Sequence, residues 1–264
     1  MTVGFIGGGN MGASLARAVR RADYPVYLYD KDTEKAAALK EELSLTLLSS
    51  EEEIISKSDI VFLAVKPNIV ESVLLKIKDA LSKKRTLIIS MAAGVKISSI
   101  EEKLGNAKVP IIRIMPNTPV AVMSGVIAYS KNGLCTPNDL DAFLKILQHA
   151  GVLRELDESQ IDAETAVAGC GPAFAYLFID AIKDAGIKAG LSESDALLFA
   201  AKTVEGASKM VLSSSESPKK LAERVCSPGG STIEGVNALL DGGLYSLMEK
   251  TVIASFEKTK ELGK

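Results

Sequence analysis

Residues 3–12 read VGFIGGGNMG, and the fold of the first half of the chain turns on them. Val3–Ile6 is a short apolar run of the kind that forms a buried strand. Met11, Leu15, Ala18, Val19 and Ala22 then fall at helical spacing. Between strand and helix, Gly7, Gly9 and Gly12 spell Gly-x-Gly-x-x-Gly. The first glycine permits a tight turn, the second lets backbone approach a pyrophosphate, and the third lets helix and strand pack closely. The helix N-terminus then meets the anion. Three spaced glycines alone are weak evidence, but here strand, turn and helix agree, and the stretch reads as a dinucleotide-binding loop.

Working outward, short apolar runs alternate with amphipathic stretches up to about residue 157. Val26–Tyr29, Ile60–Ala64, Leu87–Ile89 and Ile111–Met115 read as further buried strands, each bounded by turn residues. Val70, Val73, Leu74 and Ile77 repeat the helical spacing. Val126–Tyr129 and Val152–Leu156 read as two more strands with a helix over Leu140–Leu147 between them. Strands alternating with helices predict a parallel sheet covered on both faces. In such a sheet the loops at the strand carboxyl ends line the cleft. Here they are Ala64–Pro67 (AVKP), Ser90–Gly94 (SMAAG) and Arg113–Pro119 (RIMPNTP). Small residues at Ala92, Ala93 and Gly94 let a flat ring approach the backbone, Asn117 offers an amide for a carboxamide or a ribose, and Lys66 reads as a positioning charge. Asp30 closes the second strand, where an acid bonds the adenine-ribose hydroxyls and repels an added phosphate. That favours NADH, yet Lys31 and Lys35 stand close enough to offset it, and "YDKD" also reads as turn chemistry. NADH and NADPH both stay open.

After residue 158 the strand signals stop. Ala173–Ile182 (AFAYLFIDAI) is apolar almost all round, which is too much for a surface helix. Ser192 with Asp195 reads as a capped helix start, and Pro218–Val225 and Tyr245–Glu261 read as further helices. A helix apolar on every side needs cover from two directions, so this half is expected to pack against a second copy of the chain. Within it, residues 227–232 read SPGGST. The amides of Gly229, Gly230, Ser231 and Thr232 would point out of a helix's first turn, where an anion is stabilised by about 0.3–1 kcal/mol. Ser227 caps or reaches the same anion, and the Thr232 hydroxyl is a donor beside it. The pattern suits a small carboxylate; a plain capped helix start is the bland alternative.

Bulk properties narrow the rest. The chain has 264 residues, 47% hydrophobic and 24% charged, and a formal net charge of −2. That balance argues against nucleic acid or an anionic membrane as partner. Cys135, Cys170 and Cys226 fit neither a metal site nor a disulfide framework, and the N-terminus lacks a basic leader. A cytoplasmic protein without a metal is expected. The single histidine, His149, falls at the edge of the sheet away from the cleft, so neither Ser-His-Asp nor Cys-His chemistry is available. A substrate whose reduction needs little protein acid, such as an imine, fits this scarcity.

These motifs together resemble those of the pyrroline-5-carboxylate reductases. FIGGGNMG, AVKP, SMAAGV, RIMPNTP, GCGPAF, GLSESDA and VCSPGGSTIEG occur in that family's order and spacing along the whole chain. The resemblance implies a Rossmann-type dinucleotide-binding domain over residues 1–158 and an all-α dimerisation and substrate domain over 159–264. It implies that Gly7, Gly9, Asn10, Met11 and Gly12 bind the pyrophosphate of NADH or NADPH. Ala64, Val65, Lys66, Pro67, Ala92, Ala93, Gly94 and Asn117 would meet the nicotinamide end. Ser227, Gly229, Gly230 and Ser231 would hold the carboxylate of a cyclic imine, and Thr232 its ring nitrogen. The active site would be shared between the subunits of a homodimer or larger homo-oligomer. In two respects the chain departs from the pattern: Glu51 stands where many relatives carry Asn, and Cys170 and Cys226 where serine or threonine is common. A β-hydroxy-acid dehydrogenase shares the two-domain plan, but its lysine, six residues past Gly169, is here Ala175. A non-catalytic dinucleotide-binding regulator would have no use for SPGGST.

Overall fold

Four-residue strands buried on both faces set the architecture. The structure, a computed structural model, describes residues 1–105 and 107–262. In chain order it runs β1 (Val3–Ile6), α1 (Asn10–Arg21), β2 (Val26–Tyr29), α2 (Thr33–Leu43), β3 (Thr46–Leu47), α3 (Glu51–Lys57) and β4 (Ile60–Leu63). Then come α4 (Pro67–Lys83), β5 (Leu87–Ser90), α5 (Ile97–Leu104), β6 (Ile111–Pro116), β7 (Gly125–Lys131), α6 (Pro137–Ile146) and β8 (Gly151–Glu155). The strands form one sheet in the order β3-β2-β1-β4-β5-β6-β7-β8. The order reverses between β1 and β4, which makes the crevice at their carboxyl ends the topological switch point.

Both faces carry a core. Leu15, Val19, Leu28, Phe62 and Phe143 belong to one, and Ile54, Val61, Val73, Ile77 and Ile100 to the other. Phe5 and Phe62, register partners on β1 and β4, stack with ring centroids 4.5 Å apart. Parallel strands sandwiched by helices account for the unbroken apolar runs.

One expectation needs correcting. β1 to β6 are parallel, but β7 pairs antiparallel with β6, and β8 follows β7 in parallel. The short Asn117–Ser124 connection holds a single 3₁₀ turn, Thr118–Val122. A parallel return needs a crossover of a dozen or more residues, so the chain can only double back. β3, two residues long, carries too little pattern to be read from sequence.

The rest of the chain is helical: α7 (Ile161–Glu164), a π-helical turn (Thr165–Gly169), α8 (Gly171–Lys188), α9 (Glu193–Ser213), α10 (Pro218–Val225), α11 (Ser231–Asp241) and α12 (Leu244–Leu262). The fold is thus a Rossmann-type α/β domain followed by an all-α region. By contacts the chain divides into one unit of Met1–Cys170 with the C-terminal segment from Ser255, and a second of Gly171–Ala254. In the second unit the only buried described residues are Ala196 and Ala200. Leu177, Leu198, Phe199, Leu212 and Leu247 each leave half or more of their surface exposed. α7, the π turn and α8 run on as one helical segment, Glu158–Lys188, long and apolar enough by composition to cross a membrane.

Candidate functional site

In the first unit the glycine-rich loop is shaped by two close approaches. Gly7 has φ +104°, and a Cβ there would lie 2.4 Å from the Ala64 carbonyl oxygen. At Gly12 a Cβ would lie 2.7 Å from the Gly7 carbonyl oxygen, so α1 could not sit this tightly on the strand end. Gly9 is different, because nothing lies within 4 Å of the Cβ position. It is the N-cap of α1 and supplies no side-chain cap, and Ala13 makes the first helical bond to its carbonyl. The amides of Asn10, Met11 and Gly12 are left without an intrahelical acceptor. The space above Gly9 is therefore a cradle that a larger residue would fill, walled by donors facing an anion.

This cradle opens into a cavity of about 270 Å³ at the switch point. Gly7, Gly9, Asp30, Ala64, Val65 and Lys66 line it together. The structure adds Glu51, Tyr29, Lys31, Ile69 and Val73 to the lining. Lys66 is exposed at the N-cap of α4, with Pro67 as the first helical residue, whose missing N–H costs nothing there. Asp30 serves the loop as well: its carboxylate accepts the Gly8 amide at 2.5 Å and the Asp32 amide at 2.8 Å. Glu51 is buried, with Oε1 2.8 Å from Lys76 Nζ. Nothing in the sequence marked Lys76 as its partner.

The remaining first-unit candidates lie apart from this cavity. Ala92 is buried, Ala93 exposed, and Gly94 turns the β5–α5 loop at φ +76°. Asn117 is buried and already engaged: its side-chain oxygen accepts the Val126 amide at 2.8 Å, and its NH2 donates to the Ala168 carbonyl at 3.0 Å. It ties the Thr118–Val122 turn to β7 and to the π turn, which is a positioning role. Arg113 is fully buried and donates to Glu158 at 3.0 Å, whose same oxygen accepts the Ile97 amide at 2.8 Å.

In the second unit Ser227–Gly230 forms a tight turn ahead of α11. Gly229 has φ +71°, and the Gly230 amide donates to the Ser227 carbonyl at 3.0 Å. That donor closes the turn and is not presented outward, contrary to the reading of all four amides as free. A Cβ on Gly230 would meet Ser227 Oγ at 2.4 Å, so a larger residue there would turn the serine hydroxyl away. Gly230 is the N-cap of α11 and brings no side-chain cap. The Ser231 and Thr232 amides head the helix, and both residues are exposed, as is Ser227. α1 behind Gly9 and α11 behind Gly230 are thus both helix starts without a side-chain cap.

Known proteins resemble this chain along its whole length. A family profile for pyrroline-5-carboxylate reductase dimerisation matches residues 158–262, and a profile described as NADP oxidoreductase, coenzyme F420-dependent, matches residues 2–94. The pyrroline-5-carboxylate reductases of Pisum sativum and Escherichia coli (strain K12) are each 36% identical over 266 residues, covering 99% of this chain and 96% and 98% of theirs. The chain belongs to the pyrroline-5-carboxylate reductase family. A crystal structure of Plasmodium falciparum pyrroline carboxylate reductase with NADP bound superposes with a TM-score of 0.89 at 34% identity, covering 100% of this chain and 98% of that one.

Within this reductase family, one feature of the chain went unread in its sequence. Glu164, the last residue of α7, has both carboxylate oxygens shut off from solvent and without a hydrogen-bond partner among the described residues. Burial pushes its pKa up to about 7. A glutamate among small and apolar neighbours gives no sequence signal of which way it points.

Proposed function

We propose that the chain reduces 1-pyrroline-5-carboxylate to L-proline, hydride adding to the imine carbon and a proton to the ring nitrogen, with NADH or NADPH as reductant. When bound, the reduced dinucleotide supplies the hydride. The residues present fit such a group: the uncapped amides of Asn10, Met11 and Gly12 above the open face of Gly9 suit its pyrophosphate. The observation that carries the reading is the exposed helix start at Gly230–Ser231, left without a side-chain cap behind the tight Ser227–Gly230 turn, with the Ser227 and Thr232 hydroxyls beside it. The Ser231 and Thr232 amides and the Ser227 hydroxyl hold the substrate carboxylate, and Gly229 and Gly230 let it come close. The Thr232 hydroxyl bonds the ring nitrogen and orients the imine. Most of the rate then comes from positioning.

The functional halves are residues 1–158 and 159–264, in a cytoplasmic homodimer or larger ring. The active site joins one subunit's nucleotide half to its partner's helical half. The exposed apolar surface of α8, α9 and α12 supports that assembly.

The test is cofactor oxidation followed by absorbance, with 1-pyrroline-5-carboxylate as substrate and proline identified as product. Thr232→Ala is expected to lower kcat about 10²-fold or more while cofactor affinity stays within about twofold. Full turnover in that variant removes the role given to Thr232. No oxidation with either cofactor, despite binding, removes the substrate assignment.

A further inference from the structure

We infer that the two carboxylates at the far end of the dinucleotide cavity, Asp30 and above all Glu51, make this reductase select NADH over NADPH. The inference rests on the nucleotide reading above and extends it to the ribose. With the pyrophosphate at the start of α1, the adenine ribose lies at the carboxyl end of β2. Asp30 stands there, and Glu51, the first residue of α3, lines the same cavity. A 2′-phosphate would bring close to two negative charges to this point, as phosphate monoesters do near neutral pH.

Both carboxylates are held in place. Asp30 is fixed by the Gly8 and Asp32 amides. Glu51 is buried and held by Lys76. Either can accept a hydrogen bond from a ribose hydroxyl, whereas a phosphate brought there meets two carboxylates in one lining. The cations in the lining are of another kind. Lys31 and Lys66 are exposed, and flexible lysines in water offset little of a fixed charge. Lys76 is already committed to Glu51, and no arginine, the usual clamp for a 2′-phosphate, lines the cavity among the described residues. Repulsion at near-contact distance in a partly desolvated site amounts to a factor of about ten or more in affinity. The Plasmodium relative was crystallised with NADP bound; for this chain the lining points to NADH.

The test measures binding, not turnover: nicotinamide fluorescence titrations of the full-length protein with NADH and with NADPH, repeated for Glu51→Gln. The wild type is expected to bind NADH about tenfold or more tighter. Glu51→Gln should close most of that gap, tightening NADPH by several-fold and weakening NADH by less, as a charged acceptor for the ribose hydroxyl is replaced by a neutral one. A competition on the wild type alone guards against a variant that fails to fold: 5′-AMP should displace NADH better than adenosine 2′,5′-bisphosphate does. Equal or tighter binding of NADPH and of the bisphosphate by the wild type overturns the inference and leaves the nucleotide site intact. So does a Glu51→Gln variant with an unchanged ratio. Failure of both dinucleotides to bind the wild type overturns the nucleotide reading itself, and the inference with it.

Discussion

Glu164 and Glu51 are both buried glutamates, and their surroundings give them opposite chemistry. Glu51 is ion-paired with Lys76, 2.8 Å away. Glu164 faces no such partner, and desolvation alone lifts its pKa to about 7, above the ordinary 4.5. The folded chain therefore holds a proton that the unfolded chain has released between roughly pH 4.5 and 7. By linkage, that group's contribution to stability falls as pH rises through this window and stays low above it. Glu164→Gln keeps the neutral shape at every pH. Its urea midpoint should match the wild type near pH 5 and exceed it by pH 8; a gap that does not widen with pH would mean the carboxyl finds a partner. Such partners are what the sequence could not show. The candidate residues themselves, Gly7 to Gly12 and Ser227 to Thr232, were legible because glycines and hydroxyls at helix starts have local meaning. Asn117 was read as a ligand group, yet its amide is spent on Val126 and Ala168, residues 9 and 51 positions away.

At the scale of elements, the loop before α1 separates two uses of glycine that look alike in the string. Gly7 needs its positive φ and the missing Cβ because of the Ala64 carbonyl. Gly7→Ala should cost at least about 1–3 kcal/mol of stability through backbone strain and the clash. Gly9 has an ordinary φ of −63° and open space beside it. Gly9→Ala should change stability by no more than about 1 kcal/mol, the difference between those residues at an N-cap. Its effect should fall on NADH affinity instead, by about tenfold or more, because the methyl occupies the cradle. Thermal unfolding and NADH titration of both variants check this; equal loss of stability in the two would mean that Gly9 is a packing glycine. Element boundaries were legible where a cap or a proline announces them, as at Ser192, whose Oγ accepts the Asp195 amide, and at Pro218. The direction of β7 was not. An apolar run such as Val126–Tyr129 has no polarity of its own, and only the shortness of the Asn117–Ser124 connection reverses it.

For the whole molecule, the proposed reaction draws on helix starts in separate units, α1 behind Gly9 and α11 behind Gly230. The family's dimerisation profile and the exposed apolar helices support association of two chains, and the proposal above places each site across that association. Complementation separates this from a site made within one chain. Gly9→Asp puts a negative charge where the pyrophosphate would sit, at a position with room for a side chain, so it should fold and bind no dinucleotide. Thr232→Ala should bind dinucleotide and turn over poorly. Unfolded together and refolded as a mixture, the two variants form hybrid dimers. If each site joins one chain's nucleotide half to its partner's helical half, every hybrid has one site in which both halves are unmutated. The mixture should then recover roughly a quarter of wild-type activity, since half of the dimers are hybrids with one of two sites intact. If each chain makes its own site, every site in a hybrid carries one mutation and no activity returns. Mass spectrometry of the intact mixture verifies that hybrids formed, so that a silent mixture counts against the shared site and not against the mixing.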